Sequence, residues 1–573
     1  MPLTEVVTLP IIKDEIHQLS DNKINITRKP HDLIISNMNH SEGFCYYLGL
    51  LILIPYLSKV AEMGKKNLLQ WIVSLFLGVK NIEQSKILNF NSLSIIIGET
   101  TRNLHAQRKS LKMQVNTQSI NELQTFNMEL AGVKDCVDFY YDPHTKHYTG
   151  LKKILKGWCS KIRFADKVIN MDFIHTRDGY PVYIDNTDNF DDLRIRFFKN
   201  INSFRCLSQI PDDQELTYIV DRGIFSKETL EQVAGMPNTH LITWEKNYNH
   251  SEWKENIPCK KGCLIRYRNN REDIKQINYS YQEKKWEKSD RIRQVIVRIE
   301  SPKGENKIEV SILTDDLMRD ANEIVQLMFS RWIQENDFKY LIEHFGINEI
   351  TTYSSNNWEE IKNETDDKFY ISGQYKALTN EIDNIRGRLK TVLLKKHRYD
   401  KKYSLSNKKQ NSNQIQSHQK ILIQISQLSK LLEEKELQRD HTEKLISKNK
   451  ELSQQNYQRL NMTVKLYMDI IKIIARNIYY KSFQMFKKLY NNYRDDHLIY
   501  RNLISCNGFI SFENEMIQIK LCPEMELQPK VKVILDQIIQ NINQLNPTIP
   551  NGGTKSFNLS LYGSNESFFA IAI

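Results

Sequence analysis

A chain of 573 residues is too long for one hydrophobic core and points to roughly three or four domains of about 150 residues each. Its 40% hydrophobic and 10% aromatic content excludes a disordered chain, and a formal charge of +11 favours a polyanionic partner. The longest apolar run, Phe44 to Leu57, interrupted by a proline, is shorter than the roughly 20 residues that cross a bilayer, so it reads as a buried helix. The start MPLTEVVTLPIIKDE lacks the charged-then-apolar pattern of a secretory signal, so an intracellular protein is expected. The 8 cysteines are scattered rather than packed into a short framework, as in a chain of reduced thiols.

In chain order, residues 1–40 form an extension, and Glu42 to about Val115 carries apolar residues at helical spacing, broken by Gly or Asn every 15 to 20 residues, so a helical domain is expected over 41–130. Its last basic stretch, Thr100 to Met113, is a candidate recognition helix, with Arg102, His105, Arg108 and Lys109 facing a DNA groove. Between Lys134 and Trp244 the texture changes to short β-branched and aromatic runs: CVDFYYD (136–142), KVINMDFIH (167–175), YPVYIDN (180–186), LTYIVD (216–221) and THLITW (239–244). These are strand signals, and the helical SKETLEQVAG (226–235) between the last two implies a parallel crossover in a mixed α/β sheet.

Strands return over 246–315, with a turn at 301–306, and Leu317 to Phe345 then reads as one long helix. Over 354–460 two stretches step by four and three, Leu378, Ile382, Ile385, Leu389, Val392 and Ile421, Ile425, Leu428, Leu432, the pattern of an antiparallel or self-associating coiled coil. Its tip is the basic loop 395–410, in a segment (Asn384 to Gln410) holding ten Lys/Arg, including Lys395, Lys396 and Arg398, against Asp400 alone. Such a surface suits phosphates. Residues 461–573 complete the chain as a helical region followed by a small β/α tail.

Three acids stand out by position. Asp142 and Asp221 close strands, and Glu335 sits in the long helix. A carboxylate at the end of a buried strand is costly unless a cation offsets it. The runs that contain them are YYDPHTKHYTG (140–150), YIVDRGIFS (218–226) and RWIQENDFKY (331–340). Together, in this order, these runs resemble the motifs of insertion-sequence transposases of the Asp-Asp-Glu class, in the ribonuclease-H-like and retroviral integrase superfamily. Met328 and Ile342 stand where many such proteins carry a tyrosine and a lysine.

The resemblance implies an α/β fold: a ribonuclease-H-like mixed sheet over 131–245 and 316–353, interrupted by the β insertion 246–315 and flanked by the all-α N-terminal DNA-binding domain and the long helical coiled-coil region. It implies that Asp142, Asp221 and Glu335 bind two Mg²⁺ ions, for which Mn²⁺ could substitute. Arg331 and Lys339, one turn either side of Glu335, would hold a DNA phosphate or pair with the glutamate. The implied activity is cleavage at transposon ends and strand transfer into target DNA by a dimer or larger assembly on double-stranded DNA. The sequence has no phosphate-binding Gly-Lys-Ser/Thr loop, so no nucleotide cofactor is expected. A domesticated DNA-binding protein of the same ancestry and a plain nuclease of the same fold are the alternatives. Lesser candidates are a zinc site from Cys259, Cys263, His240 and His250, substrate contacts from His144 and His147, and turn-capping roles for Asp172, Asp178 and Asp185.

Overall fold

The computed structural model describes residues 43–562 apart from short stretches, the longest being 300–307, 358–368, 405–411 and 448–456. The extension 1–40, the turn 301–306, His250 and the basic pair Lys408 and Lys409 lie outside the described residues. The protein is a mixed α/β molecule in two compact units, one formed by 1–148, 157–352 and 462–573, the other by 149–156 and 353–461.

The first unit opens with a short strand β1 (Gly43–Cys45), followed by helices α1 (Ile54–Glu62), α2 (Leu68–Phe76), α3 (Phe90–Ile97), α4 (Leu104–Gln114) and α5 (Thr117–Ala131). Asn side chains at 89, 103 and 116 cap α3, α4 and α5 by accepting the third residue's N–H. The apolar run from Phe44 is not one helix: Leu48–Leu53 is a fully buried 3₁₀ turn before α1.

A ten-stranded sheet follows. Its first part contains β2 (Asp138–His147), β3 (Lys156–Cys159), β4 (Phe164–Thr176), β5 (Pro181–Thr187), β6 (Leu216–Val220) and β7 (Thr239–Trp244). In space the order runs β4–β2–β6–β7, with both β3 and β5 paired to β4; β4 is antiparallel to both β5 and β2, whereas β2, β6 and β7 run parallel. Helices α6 (Leu193–Ser208) and α7 (Lys227–Val233) supply the crossovers. The strands β8 (Lys260–Tyr267), β9 (Ile274–Trp286), β10 (Ser289–Ile299) and β11 (Ile308–Thr314) extend the same sheet as an antiparallel meander, with β11 joined to β7.

The first strand is longer than its expected end at Asp142. Proline marks a strand end because it cannot donate to a ladder; here β6 pairs with β2 only as far as Tyr141, so Pro143 falls where β2 has lost that neighbour and remains paired with β4 alone. Alternation along β2 and β6 divides the core. Phe139, Tyr141, Tyr218 and Val220 pack beneath α6 and α7, whereas Tyr140 and Ile219 point to the other face and meet Ile324, Leu327 and Met328.

Those last three residues belong to α8 (Ala321–Phe329), which is separate from α9 (Trp332–Phe345). The single helix expected over 317–345 is therefore broken at Ser330 and Arg331. The Leu327 carbonyl beside the break accepts the Tyr140 hydroxyl at 3.1 Å, a bond that fixes the joint on the sheet.

The C-terminal part returns to the same unit as α12 (Thr463–Leu489), α13 (Asp496–Ser505), β12 (Asn507–Glu513), β13 (Met516–Cys522), α14 (Pro529–Asn543) and β14 (Phe557–Leu561), numbered after the helices α10 (Gly373–Ser404) and α11 (Ser412–Asp440) of the second unit. β1 adds to β12, so the N-terminal helices share a sheet with the C-terminus. Gly49 is the tightest point of that junction: its N–H donates to the Cys506 carbonyl at 3.0 Å, and a Cβ there would lie 1.9 Å from the Leu503 carbonyl oxygen. Gly49→Ala is expected to cost about 2 kcal/mol, the usual scale of overpacking, read as a lowered denaturation midpoint.

In the second unit, α10 and α11 pack antiparallel, with Arg386–Glu436 at 2.7 Å and Lys435–Glu381 at 2.8 Å across the seam. Residues 395–404 are helical, continuing α10, where a basic loop was expected. Among the described residues, no helix is long and apolar enough to cross a membrane. All eight cysteines are free thiols.

Candidate active site

Register brings the first two acids together. Tyr141 of β2 lies opposite Val220 of β6 in parallel pairing, so the next residues, Asp142 and Asp221, stand side by side where β6 ends. Alternation directs both to the face covered by α8, away from the core of Tyr141 and Val220. Arg331, at the break between α8 and α9, reaches both: its guanidinium is 3.6 Å from Asp142 Oδ1 and 3.3 Å from Asp221 Oδ1. Glu335 follows in the first turn of α9, an end of the helix at which negative charge is favoured.

The electrostatics agree with the geometry. Burial pushes the Asp142 carboxyl up to about 7, Arg331 opposes that rise, and the charges of Asp221, Glu335 and Asp172 add to it. Arg331 is 12% exposed, and its Nε is buried without a hydrogen-bond partner. One guanidinium thus offsets a patch with three acids. Among the described residues no three His, Cys, Asp or Glu side chains are gathered closely enough to hold a metal ion. The donor chemistry nevertheless suits a hard divalent cation, because every donor is a carboxylate oxygen.

A buried chain of polar groups sets the position of α9. Arg476 of α12 donates from Nε to Asp337 Oδ1 at 2.6 Å. Asp337 Oδ2 meets His175 Nε2 at 3.0 Å, His175 Nδ1 accepts from Gln334 at 3.1 Å, and Gln334 also reaches the Tyr140 carbonyl at 3.3 Å. The amide donor at Nδ1 places the imidazole proton on Nε2, pointing at Asp337; burial holds this histidine below its ordinary pKa, against the pull of Asp337. The far end of α9 is held as well: Lys465 Nζ donates to the Ile347 carbonyl at 2.9 Å and Lys472 Nζ to the Gly346 carbonyl at 2.7 Å. Both lysines sit against Asp469, which keeps their charge tolerable in the interior.

The other candidates are distributed as follows. Lys339 is exposed on α9, one turn beyond Glu335. The alternative pairing of Arg331 with Glu335 is not what the structure has: its ion-pair partners are Asp142 and Asp221. Arg102 precedes α4 rather than lying in it, Arg108 pairs with Glu83, and Lys109 is exposed. Lys395, Lys396 and Arg398 lie on α10 in the second unit, with Lys396 bonded to Asp400 at 2.8 Å. His144 is buried, stacked on Phe338 and bonded to Asn348, and His147 pairs with Asp166. Asp172 is no turn cap: it is a fully buried strand residue 2.9 Å from Arg196. His240 meets Asp315 through Nδ1 at 2.9 Å, and among the described residues no cluster of three side chains able to hold a metal ion joins it to Cys259 and Cys263. Sequence reading missed Asp337, His175 and Arg476 altogether, since the bonds among them span 139 and 162 residues.

The model of a family described as "Transposase protein" matches residues 68–506, a span that contains Asp142, Asp221, Glu335 and the α10–α11 pair. No curated protein matches. Among solved structures, the piggyBac transposase in a cryo-EM synaptic complex with hairpin DNA matches 59% of this chain and 72% of its own, with 7% identity and a TM-score of 0.24.

Proposed function

This chain belongs to the transposase protein family, and from that premise we propose that it is a DNA transposase whose ribonuclease-H-like core cuts and rejoins DNA at Asp142, Asp221 and Glu335. The observation that carries the reading is the meeting of Asp142 and Asp221 on Arg331, with Glu335 one helical turn further along. The strand order β4–β2–β6–β7 with β5 paired to β4, antiparallel in its first half and parallel in its second, supports a ribonuclease-H-like core. The meander β8–β11 fits an insertion between the second and third acids.

The three carboxylates would hold Mg²⁺, or Mn²⁺ in its place. Divalent cations there supply activation of the attacking oxygen and stabilisation of the leaving one in phosphodiester displacement. The residues of the chain do the rest. Asp142, with its raised pKa, gives up its proton more readily as positive charge approaches. Arg331 turns from the aspartates to a DNA phosphate, its planar fork suiting two oxygens at once. Lys339 adds a second phosphate contact one turn away. Exposed Arg102 and Lys109, together with Lys395, Lys396 and Arg398, track the duplex of transposon end and target, and Arg108 joins them on leaving Glu83. The protein acts as a dimer or larger assembly on DNA and needs no nucleotide cofactor.

The test is a strand-transfer assay with labelled transposon-end DNA and Mg²⁺, comparing wild type with Glu335→Gln. Cleavage and joining should fall together by at least about 100-fold, or roughly 3 kcal/mol of barrier. Full activity in the variant would remove Glu335 from the site. Cleavage without joining in the wild type would identify a nuclease of the same fold instead.

A further inference from the structure

The C-terminal sheet buries one face and leaves the other open. Ile517, Ile519 and Leu521 of β13 and Phe557 and Leu559 of β14 are at most 3% exposed, so the residues that alternate with them point the other way. Register sets Phe44 of β1, Phe509 of β12, Lys520 of β13 and Ser560 of β14 in one row of the open face. Phe44 and Tyr562 keep 50% and 59% of their surface exposed. Five rings follow one another from this row into the turn after β1: Tyr562 to Phe509 at 5.5 Å, Phe509 to Phe44 at 5.7 Å, Phe44 to Tyr46 at 5.0 Å and Tyr46 to Tyr47 at 5.8 Å between centroids. Gln518 and Asn558, bonded to each other at 3.3 Å, add amides to the same face.

The run of rings ends at a cavity of about 730 Å³, which Tyr46 and Tyr47 line together with Lys80, Tyr479 and Arg501. Tyr47 takes a left-handed backbone conformation, φ 64°, that costs a tyrosine strain. It is held there at both ends: the Asn507 side chain accepts its N–H at 3.2 Å, and its hydroxyl accepts the Asn89 N–H at 3.3 Å. Arg501 lies over the rings of Tyr340 and Tyr479, 5.4 and 5.7 Å from their centroids, and its partners are phenol hydroxyls rather than carboxylates. A planar cation on a cavity wall, with no acid against it, suits a guest rich in acceptors. The acids that line the cavity, Glu343 and Glu524, are turned out to solvent. On the open face of the sheet the one acid by position is Glu513, at the end of the hairpin remote from Lys520 and Tyr562.

We propose that this face and its cavity hold an unpaired DNA strand. Every base has a flat face that can stack on the rings. The amides of Gln518 and Asn558, and Arg501 in the cavity, reach base edges that pairing would hide, while Lys520 and Lys80 meet backbone phosphates. A duplex does not suit the surface, because its bases are stacked on one another and their faces cannot meet the rings. An apolar protein partner does not suit it either, since that would bury Lys520 and the amides without partners. The choice of DNA over RNA rests on the family, because stacking does not read the sugar. The inference does not depend on the carboxylate site being catalytic, and its test is read without activity.

The experiment is fluorescence anisotropy of the full chain with a labelled oligothymidylate of about 12 nucleotides and, separately, a duplex of the same length, at about 0.15 M salt. Wild type should bind the single strand with a micromolar Kd. Phe44→Ala combined with Tyr562→Ala should weaken that binding at least about 20-fold and duplex binding less than about twofold, at unchanged circular dichroism. Phe44→Trp with Tyr562→Trp should stay within about threefold of wild type, because the rings are kept. Arg501→Gln should weaken the single strand about fivefold. A wild type that fails to bind the strand at about 50 µM overturns the proposal. So does an alanine pair that leaves strand affinity unchanged or weakens the duplex equally, or an RNA of the same length bound at least about tenfold more tightly than DNA. If the alanine pair instead turns a dimer of the DNA-free chain into a monomer, the face belongs to a second copy and the proposal also fails.

Discussion

Asp142→Asn is expected to reduce metal-dependent strand cleavage at least about 1,000-fold, equivalent to about 4 kcal/mol of barrier, while making the metal-free protein more stable at pH 8. The two effects have one cause. A carboxyl whose pKa stands above its unfolded value stabilises the fold fully only below the unfolded value, near 4, and this contribution is lost as the pH rises through about 7. At pH 8 the wild-type protein thus carries an uncompensated part of the Asp142 charge, which the amide removes. With the side chain 19% exposed, the gain should be on the order of 2 kcal/mol, seen as a thermal midpoint a few degrees higher in chelator. At pH 4 the midpoints should coincide. A variant that is inactive but shows no pH-dependent difference would mean that Asp142 is not held charged against its surroundings.

The second large effect lies in the buried chain behind α9. Arg476→Ala leaves Asp337, 2% exposed, without its cation, and an unpaired buried carboxylate typically costs 3–5 kcal/mol. The loss should be visible in chemical denaturation at neutral pH. Replacing both partners by apolar residues of similar size, Arg476→Met with Asp337→Leu, should recover much of the stability, because the penalty comes from the orphaned charge rather than the missing bond. Activity should not return with it: His175 and Gln334 lose the carboxylate that orders them, and Glu335, next to Gln334, loses its fixed height above β2. A double variant as active as wild type would mean that the network stabilises α9 without positioning it.

The alternation of Phe139, Tyr140 and Tyr141, and the glycine turn after Asp221, made the two aspartate strands readable, and the crossover helix at 227–233 made their parallel pairing readable too. These signals are local. The break at Ser330 was not readable, because Ile324, Leu327, Met328, Phe338 and Leu341 keep an almost continuous helical period across it, and what separates α8 from α9 is tertiary, including a hydroxyl from β2. For the same reason Arg331 looked like a partner of Glu335 four residues away, whereas its partners come from strands more than 100 residues distant. The extent of β2 was missed at Pro143 because local chemistry does not reveal on which side a strand has already lost its neighbour. Charge spacing along 384–410 gave the basic character of α10, but the leucines on its open face became distinguishable from the seam only when both helices were placed together.

The central claim is that oxygens from positions 142, 221 and 335 share divalent cations, and the most direct measurement is a Mn²⁺ titration followed by electron paramagnetic resonance in the absence of DNA. Wild type should bind Mn²⁺ with a signal that Mg²⁺ competes away, and Asp142→Asn, Asp221→Asn and Glu335→Gln should each weaken that binding at least about tenfold. Equal binding by all three variants and the wild type would contradict the account.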